Sequence, residues 1–512
     1  MVSGLATSTM ASPQKSVLVA TIGTRDLAYQ TVDGVWLNLG DDRSYQERPS
    51  PMSRVIEELY AESENPEQLD SATFRDLTKY LCDRWNHYGD RLIPIILGQL
   101  LEDEQGTLKS IYLVATNQPE SVREREKDTL YAAEIFKHYV QQHYQIPVTV
   151  IEQGQDPRES PADFEAMFRW CKRDVWPAIA PGVGRGHPLL LCLKGGVNQT
   201  SEAIRVTALS RFGERTRFYD FKENWQGNQR GIPSDYTVPL RGTNYLWDRQ
   251  QQAALGLLER YDYTAVQDLL DGYYRLARNG EVSEEILTVE QGLKPAIAWT
   301  ICDFESFAEG VTQTSDPTPH WSWRAYEAAY LGDVRFRQHN ILEAMFHSFR
   351  AVEGLMMTWA VRRFHQHIEI RNRRQDCQDA PILQSSICQE FPNLRSQFRD
   401  HSGRISERRL YGPLLDQLFK EACGEHCGRD SDLWVFFEVA KPWRNSVFHR
   451  LLRLRPEELF IAWQVGGPRE WRSRVLGCLN AISGQGYQSL TESSRMVGLH
   501  QHIFEQISRY QP

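Results

Sequence analysis

Short apolar segments alternate with amphipathic helical patterns through residues 16–221, and this alternation is the strongest constraint on the fold. The segments are apolar at consecutive positions, which is typical of strands covered by helices on both faces. They occupy residues 16–23, 93–97, 111–116, 148–152, 188–193 and 216–221. Helical patterns separate them at residues 71–88, 123–143, 161–176 and 199–211. This order predicts an α/β Rossmann-like domain with a doubly wound parallel sheet and a hairpin insertion at residues 33–45.

The pattern changes after residue 221. Residues 222–242 are rich in Gly, Pro, Asn and Gln and predict a linker or a long loop. From residue 247 onward almost every segment has helical periodicity, which predicts an all-α C-terminal half. We therefore expect an α/β domain over residues 1–225, a linker and helical connector over 226–335, and a helical bundle over 336–512.

Composition excludes several classes of protein. The chain has 512 residues, of which 41% are hydrophobic and 24% charged, so it can bury several cores and is not globally disordered. No apolar run reaches the ~18–20 residues of a membrane span, and the N-terminus lacks the pattern of a secretory signal. Nine scattered cysteines suit a reducing compartment, so we expect a cytoplasmic protein.

Polar, glycine-containing segments follow three of the predicted strands. In parallel sheets, ligands bind at the carboxyl ends of the strands, where glycines let backbone N–H groups approach an anion. We therefore expect ligand contacts from these segments: Gly23, Thr24, Arg25 and Asp26; Thr116, Asn117 and Gln118; and Lys194, Gly195, Gly196, Asn198, Gln199 and Thr200.

A purely structural role for the second glycine segment is also open, and neither segment has a common nucleotide-binding motif. Gly195-Gly196 is also compatible with a tight turn, with Asn198 or Thr200 capping the following helix. The segment is not a Walker loop, because Lys194 precedes the glycines, and no dinucleotide fingerprint follows Gly23.

The sharpest chemical signal is the segment Trp443-Arg444-Asn445-Ser446-Val447-Phe448-His449 in a helical stretch. His449 can act as a general acid or base on an RNA 2′-hydroxyl, and Arg444 can hold the scissile phosphate. Arg444 and His449 are about 140° apart on a regular helix. They converge on one phosphate only if the helix is distorted near Pro442, or if a second chain completes the site. The spacing alone fits a structural role, with Arg444 solvated and His449 in the core, at least as well as it fits a catalytic role.

Residues 331–460 carry 20 Lys and Arg, of which 18 are Arg, against 17 Asp and Glu. By charge alone, a helical bundle with solvated Arg faces is the preferred interpretation, and the asymmetry indicates only where a nucleic acid could bind. The long helix before the motif favours the catalytic interpretation. Glu353 lies in a predicted long helix amid apolar positions and needs a cationic partner, for which Arg444 is suitable. If that pair is buried, losing Arg444 should cost roughly 3–5 kcal/mol of stability.

These motifs resemble those of the CARF–HEPN ribonucleases of type III CRISPR systems. GTRD after the first strand and LKGGVNQT after a late strand are similar to a CARF domain, although the family often has Thr-Gly-Gly-Thr at the second place. FRAVEGL followed by WRNSVFHR is similar to a HEPN domain. The resemblance covers nearly the whole chain, and it identifies residues 247–310 only as a helical linker.

The resemblance implies an endoribonuclease of antiviral defence that cleaves single-stranded RNA without a metal or other cofactor. Arg444, Asn445, His449 and Glu353 would form the catalytic site. Cyclic oligoadenylate would be the allosteric activator, with cyclic tetra-adenylate favoured over cyclic hexa-adenylate. A homodimer would bring two copies of the motif together, and chemistry at the 2′-hydroxyl would leave 2′,3′-cyclic phosphate ends.

Two other functions remain open from the sequence. One is a CARF-type sensor whose helical half binds nucleic acid or a partner without cutting. The other is a toxin-like HEPN nuclease controlled by an antitoxin, which would need no small ligand. Cys423, His426 and Cys427 lack a matching distant pair of ligands, so we expect no zinc site there.

Overall fold

The computed structural model describes residues 15–40, 49–63, 66–184, 187–222, 224–312, 320–371, 380–399, 404–448 and 453–512. These residues divide into two compact units, Met1–Asp248 and Arg249–Pro512. The strands of the first unit are β1 (Ser16–Thr21), β2 (Leu27–Gln30), β3 (Trp36–Asn38), β4 (Leu92–Pro94), β5 (Leu108–Thr116), β6 (Val148–Gln153), β7 (Leu189–Cys192), β8 (Thr216–Tyr219) and β9 (Leu240–Arg241).

Six of the described strands form the central sheet, in the order β6-β5-β1-β7-β8-β9. The first five of these are parallel, and β9 is antiparallel to β8. The α/β Rossmann-like prediction is confirmed, with β1 at the centre of the sheet.

One predicted strand lies elsewhere. Residues 93–97 were expected in the central sheet, but β4 pairs antiparallel with β2 in a separate sheet of order β3-β2-β4. Ile95 and Leu97 are 1% exposed, so this segment is apolar because it packs into the core and not because it lies in the central sheet. The β2–β3 hairpin occupies part of the predicted insertion, and residues 41–45 lie outside the described residues.

Helices cover both faces of the central sheet. Val17 and Val19 contribute to one core, and Leu18 and Ala20 to the other, all with 0% exposure. Burial on both faces explains the consecutive apolar residues of these strands. The α-helices of this unit are Pro51–Glu62, Phe74–Asp83, Trp85–Tyr88, Gly98–Glu104, Leu130–His143, Phe164–Trp170, Trp176–Val183, Asn198–Phe212 and Trp225–Asn228, and Gly242–Glu259 continues into the second unit.

The segment predicted to be a linker or a long loop is hydrogen-bonded to other residues of the first unit. Ser234 N donates to Ile95 O at 2.8 Å, and Thr237 N donates to Asp220 O at 2.8 Å. Lys222 N donates to Asp235 O at 2.9 Å. Within the segment, Arg230 N donates to Gly227 O at 2.8 Å and Gly231 N donates to Asn228 O at 3.1 Å, so the chain turns at these glycines.

The second unit is predominantly helical, as predicted. Its α-helices are Tyr263–Arg278, Ile286–Thr300, Phe304–Thr312, Trp323–Arg337, Ile341–Arg363, Arg395–Phe398, Pro413–Ala422, Asp432–Val435, Lys441–Phe448, Pro456–Ala462, Pro468–Ser483, Leu490–Ser493 and Met496–Arg509. A small antiparallel sheet, which the sequence did not predict, joins Ile368–Arg371, Ala380–Leu383 and Arg408–Arg409. No helix in the described ranges is both long and apolar enough to cross a bilayer.

Buried polar contacts join the expected connector to the C-terminal helices within this unit. Glu327 is 1% exposed, and burial raises its pKa to about 6. Its carboxylate accepts hydrogen bonds from Trp299 Nε1 at 2.9 Å, Ser494 Oγ at 2.6 Å and Arg495 N at 2.7 Å. Residues from 249 to the C-terminus thus share one compact unit.

The ends of β1 and β7 approach so closely that only glycine fits at position 195. A Cβ there would lie 2.5 Å from Gly23 N and 2.6 Å from Thr21 O, and closer still to Asp26 Oδ2. Thr21 Oγ1 also donates to Gly195 O at 2.5 Å. The two loops are therefore held together by backbone contact.

We predict that Gly195→Ala destabilises the first unit by roughly 1–3 kcal/mol, because the added methyl must displace backbone atoms. Gly106→Ala is the matched control, since a Cβ at that position meets no atom within 4 Å. Calorimetric unfolding of the full chain measures both changes. Equal stability of the two variants would contradict the close packing described here.

Candidate functional site

A cavity of about 260 Å³ opens where β1 and β7 end. We call it the strand-end cavity. Seven residues predicted from the sequence line it, namely Gly23, Thr24, Arg25, Asp26, Lys194, Gly195 and Gly196. The adjacent strands of the sheet thus bring together two of the three predicted segments.

Other lining residues had no signal in the sequence. Asn38 comes from β3, Ile95 and Ile96 follow β4, and Phe221, Lys222, Asn228 and Ser234 come from the segment after β8. Asn228 Nδ2 donates to Ser234 Oγ at 3.2 Å. The position of this segment depends on tertiary hydrogen bonds, so its composition predicted only a loop.

Asp26 is the buried acid of the strand-end cavity. It is 4% exposed, and its Oδ2 accepts a hydrogen bond from Gly23 N at 2.9 Å. Burial raises the pKa of this carboxyl to about 7, against smaller lowering effects from the Gly23 N–H and the Arg25 charge. The Asp26 carboxyl therefore changes its charge near neutral pH, well above the range of an exposed aspartate.

The basic groups of this cavity are more exposed. Lys194 Nζ lies 3.8 Å from Asp220 Oδ1, and 40% of the Lys194 side chain is exposed. Lys222 and Arg25 add two further cations to the lining. Such a set of cations beside glycine N–H groups is suited to an anionic ligand.

The remaining predicted ligand residues lie outside the cavity lining. Asn198 and Gln199 are exposed in the first turn of the helix Asn198–Phe212. Thr200 has 0% exposure and donates to Gln153 Oε1 at 2.9 Å, so it holds the helix against β6 instead of facing solvent.

The third strand end is occupied by its own polar network. Thr116 is buried, and Asn117 Oδ1 accepts from Arg75 Nη2 at 2.8 Å. Gln118 Nε2 donates to Asp128 Oδ1 at 3.0 Å, and Arg75 pairs with Asp128 at 3.1 Å. These contacts satisfy the polar groups internally, which is why this end does not extend the strand-end cavity.

A larger cavity of about 710 Å³ lies in the second unit and contains the catalytic candidates Glu353, Arg444 and Asn445. We call it the arginine cavity. The long helix Ile341–Arg363 provides Glu353, and the helix Lys441–Phe448 provides Arg444 and Asn445. His449 lies outside the residues that the structure describes.

A π-helical turn precedes the motif. Phe436–Ala440 is π-helical and leads directly into the helix Lys441–Phe448, whose second residue is Pro442. Proline lacks an N–H and clashes with the carbonyl four residues earlier, so a wider turn accommodates it. The helix is therefore distorted immediately before Pro442, on the N-terminal side of Arg444.

Arg444 contacts both an aromatic ring and a carboxylate. Its guanidinium carbon lies 3.9 Å from the centre of the Phe349 ring, and its Nη2 lies 3.4 Å from Glu353 Oε2. Its Nε is buried without a hydrogen-bond partner in the described part of the chain. The pairing of Arg444 with Glu353 is confirmed, and the guanidinium lies between the Phe349 ring and the Glu353 carboxylate.

The pair of Arg444 and Glu353 is more exposed than the sequence predicted, and Glu353 has a second cationic partner. The Arg444 and Glu353 side chains are 26% and 30% exposed, and Lys441 Nζ also lies 3.4 Å from Glu353 Oε1. Lys441 in turn pairs with Asp416 at 2.6 Å. The expected loss of 3–5 kcal/mol applied to a buried pair; here loss of Arg444 leaves Glu353 with a cation and should cost at most about 1 kcal/mol.

Lys441 and Asp416 were missed by sequence reasoning. Lys441 precedes Arg444 by three residues and so shares its helix face, which is a usable signal. Asp416 lies in the separate helix Pro413–Ala422, and nothing in the sequence connects it to the motif.

The remaining cysteine and histidine candidates form no metal centre among the described residues. Nowhere in the described ranges do three His, Cys, Asp or Glu side chains form a group that suits a metal ion. Cys423, His426 and Cys427 belong to that part of the chain, and burial raises the pKa of the Cys427 thiol to about 11.

The sequence matches no protein-family model and no curated protein. Solved structures do match, among them Csm6 of Enterococcus italicus bound to cyclic hexa-2′-fluoro-hexa-dAMP. The identity is 13% and the TM-score 0.60, over 96% of this chain and 99% of that one. The chain therefore has the fold of Csm6, a Rossmann-like domain followed by a helical half, along nearly its whole length.

Proposed function

We propose that this chain is an endoribonuclease activated by cyclic oligoadenylate, with the strand-end cavity as sensor and the arginine cavity as part of the cleavage site. The observation that carries the proposal is the lining of the arginine cavity, where the partly exposed Arg444 lies beside Asn445 and shares the Glu353 carboxylate with Lys441. The fold shared with Csm6 supports it, since that protein was solved with a cyclic hexa-adenylate analogue.

The cleavage step needs a base, an acid and a phosphate contact. His449 takes the proton from the RNA 2′-hydroxyl, whose oxygen attacks the adjacent phosphorus. The bond from phosphorus to the 5′-oxygen breaks, and that oxygen is protonated by an acid, which the second copy's motif supplies in a homodimer. Arg444 donates to the phosphate as its charge grows, and Glu353 orients the guanidinium. The products are a 2′,3′-cyclic phosphate and a 5′-hydroxyl.

We predict that His449→Ala lowers RNA cleavage by about 10²–10⁴-fold, because the general acid–base group is lost. Arg444→Ala should be comparably damaging through loss of the phosphate contact, and Asn445→Ala milder. Cleavage of labelled single-stranded RNA in EDTA, with and without cyclic oligoadenylate, measures this. Arg275→Ala is the control, since that arginine is 70% exposed and pairs only with its helix neighbour Asp271 among the described residues.

Several outcomes of that assay would decide against the proposal. Full activity of His449→Ala or a strict requirement for Mg²⁺ contradicts the cleavage mechanism. Cleavage without the cyclic ligand favours the toxin-like nuclease, and ligand binding without cleavage favours the sensor that does not cut.

We predict that Lys194→Ala weakens binding of cyclic oligoadenylate by about tenfold or more, because a charge-assisted phosphate contact is removed. Titration calorimetry with cyclic tetra-adenylate and cyclic hexa-adenylate also compares the two ring sizes, of which tetra-adenylate remains our prediction. Lys109→Ala is the matched control. Lys109 is the second residue of β5, at the amino end of the strand and away from the strand-end cavity, and its Nζ donates to Gly182 O at 3.2 Å. Unchanged affinity of Lys194→Ala would place the ligand elsewhere.

We predict that ligand affinity falls about tenfold or more between pH 6 and pH 8, because Asp26 ionises beside the anionic ligand. The pKa of Asp26 in the folded protein, about 7, lies above its ordinary value of 3.8. Asp26 therefore stabilises the fold most below its ordinary pKa, and this contribution disappears as the pH rises through about 7. Asp26→Asn should make both ligand affinity and stability less dependent on pH, because the amide does not ionise. Its oxygen can still accept the hydrogen bond from Gly23 N.

Calorimetry across this pH range tests the ligand affinity and the unfolding temperature together. Asp83→Asn, at a half-exposed carboxylate paired with Lys79, controls for the loss of one acidic group. Identical pH profiles for wild type and Asp26→Asn would contradict the role of Asp26.

A further inference from the structure

A second cavity of the helical unit, of about 560 Å³, lies against the same long helix Ile341–Arg363 as the arginine cavity. We call it the tryptophan cavity. Its lining includes two tryptophans and two arginines, together with small residues of the long helix: Trp321, Trp323, Arg324, Arg350, Gly354 and Thr358. None of these residues has a role in the cleavage step described above.

The two cavities meet along the long helix. Glu353 and Met357 line only the arginine cavity, and Leu355 and Thr358 line only the tryptophan cavity. At about 100° of rotation per residue these pairs lie on adjacent faces of the helix. Two residues line both cavities and lie at the border between the two faces, namely Arg350 and Gly354.

Gly354 leaves this border open. Glycine inside a helix costs about 1 kcal/mol relative to alanine. A Cβ at Gly354 would meet no atom within 4 Å, so close packing does not require glycine here. The helix surface between the two cavities is therefore open at Gly354, with the exposed Arg350 one turn away.

The chemistry of the tryptophan cavity suits a nucleobase. The guanidinium carbon of the lining residue Arg324 lies 5.8 Å from the Trp323 ring centre, and that of Arg362, which is outside the lining, lies 5.4 Å from the Trp321 ring centre. Aromatic rings and guanidinium planes are the surfaces on which bases of single-stranded nucleic acid stack.

The carboxylates of the cavity already have partners. Asp303 accepts from Ser306 N at 3.1 Å and from Ser306 Oγ at 2.6 Å, where it caps a helix. Glu305 pairs with Arg324 at 3.0 Å. Both carboxylates that line the tryptophan cavity therefore have partners other than Arg350, whose side chain contacts Cys302.

We propose that the tryptophan cavity is a base-stacking subsite for the single-stranded RNA substrate. The RNA backbone passes over Gly354, Arg350 contacts a phosphate at the border, and a base beyond the scissile phosphate stacks in the cavity. The inference rests on the proposed function, because it assigns a second contact region to the same RNA.

Direct binding of uncleavable RNA tests the subsite independently of catalysis. The probes are fluorescent 2′-O-methyl RNAs of 3 and 12 nucleotides, and the readout is anisotropy with the full chain. In the double variant Trp321→Ala, Trp323→Ala we expect affinity for the longer RNA to fall about 5- to 100-fold, as base stacking predicts. Affinity for the shorter RNA should not change, since it is held in the arginine cavity alone.

A second variant tests the passage without removing any contact. Gly354→Phe should weaken binding of the longer RNA to a similar extent by blocking the border, while Gly354→Ala should not. Gly256→Phe is the matched control, because a Cβ at this helical glycine also meets no atom within 4 Å. Trp85→Ala controls for the loss of a half-buried tryptophan, here in the first unit.

The outcomes separate the subsite from the nuclease activity. Wild-type affinity in both test variants, equal losses for the two RNA lengths, or no binding of the longer RNA by the wild type would each overturn the subsite. Selective loss for the longer RNA supports it even if the wild type fails to cleave, a result that would reject the nuclease proposal alone.

Discussion

Burial of both faces of the parallel sheet is the constraint on which the first unit depends. Every strand interior must be apolar when helices cover it on both sides, so polar and charged side chains are confined to the ends of the strands. At the carboxyl ends of β1 and β7 the loops touch through backbone atoms, and only glycine fits at position 195. The strand-end cavity is therefore a direct consequence of close strand packing, with Asp26 buried beneath it and basic side chains around its opening.

The long helix Ile341–Arg363 has the corresponding role in the second unit. Its apolar residues are buried among the other helices, while Arg350, Glu353 and Gly354 face the two cavities. Glu353 is shared between Lys441 and Arg444, so the motif arginine is oriented without having its charge fully offset. The π-helical turn before Lys441 adapts the motif helix to Pro442.

How much of the candidate site could be predicted depended on distance along the chain. The glycine-containing segments at residues 23–26 and 194–196 were recognisable because each follows an apolar strand, and parallel pairing brings such ends together. Thr116, Asn117 and Gln118 have the same local pattern, yet Arg75 and Asp128 occupy their polar groups. Lys222, Asn228 and Ser234 had no pattern, because only tertiary hydrogen bonds hold their segment over the cavity.

The sequence by itself determined the fold class, since hydrophobic periodicity and the order of elements specify which faces must be buried. It also predicted that Glu353 needs a cationic partner, for which Arg444 was a suitable candidate, because a carboxylate amid apolar residues requires a cation. Only the tertiary structure decided how exposed that pair is, that Lys441 and Asp416 join it, and that the linker-like residues after β8 cover the strand ends. These features depend on contacts between residues far apart in the chain, whose free energies no local pattern encodes. The same holds for the two cavities that meet at Gly354, a residue that from sequence was only a glycine in a helix.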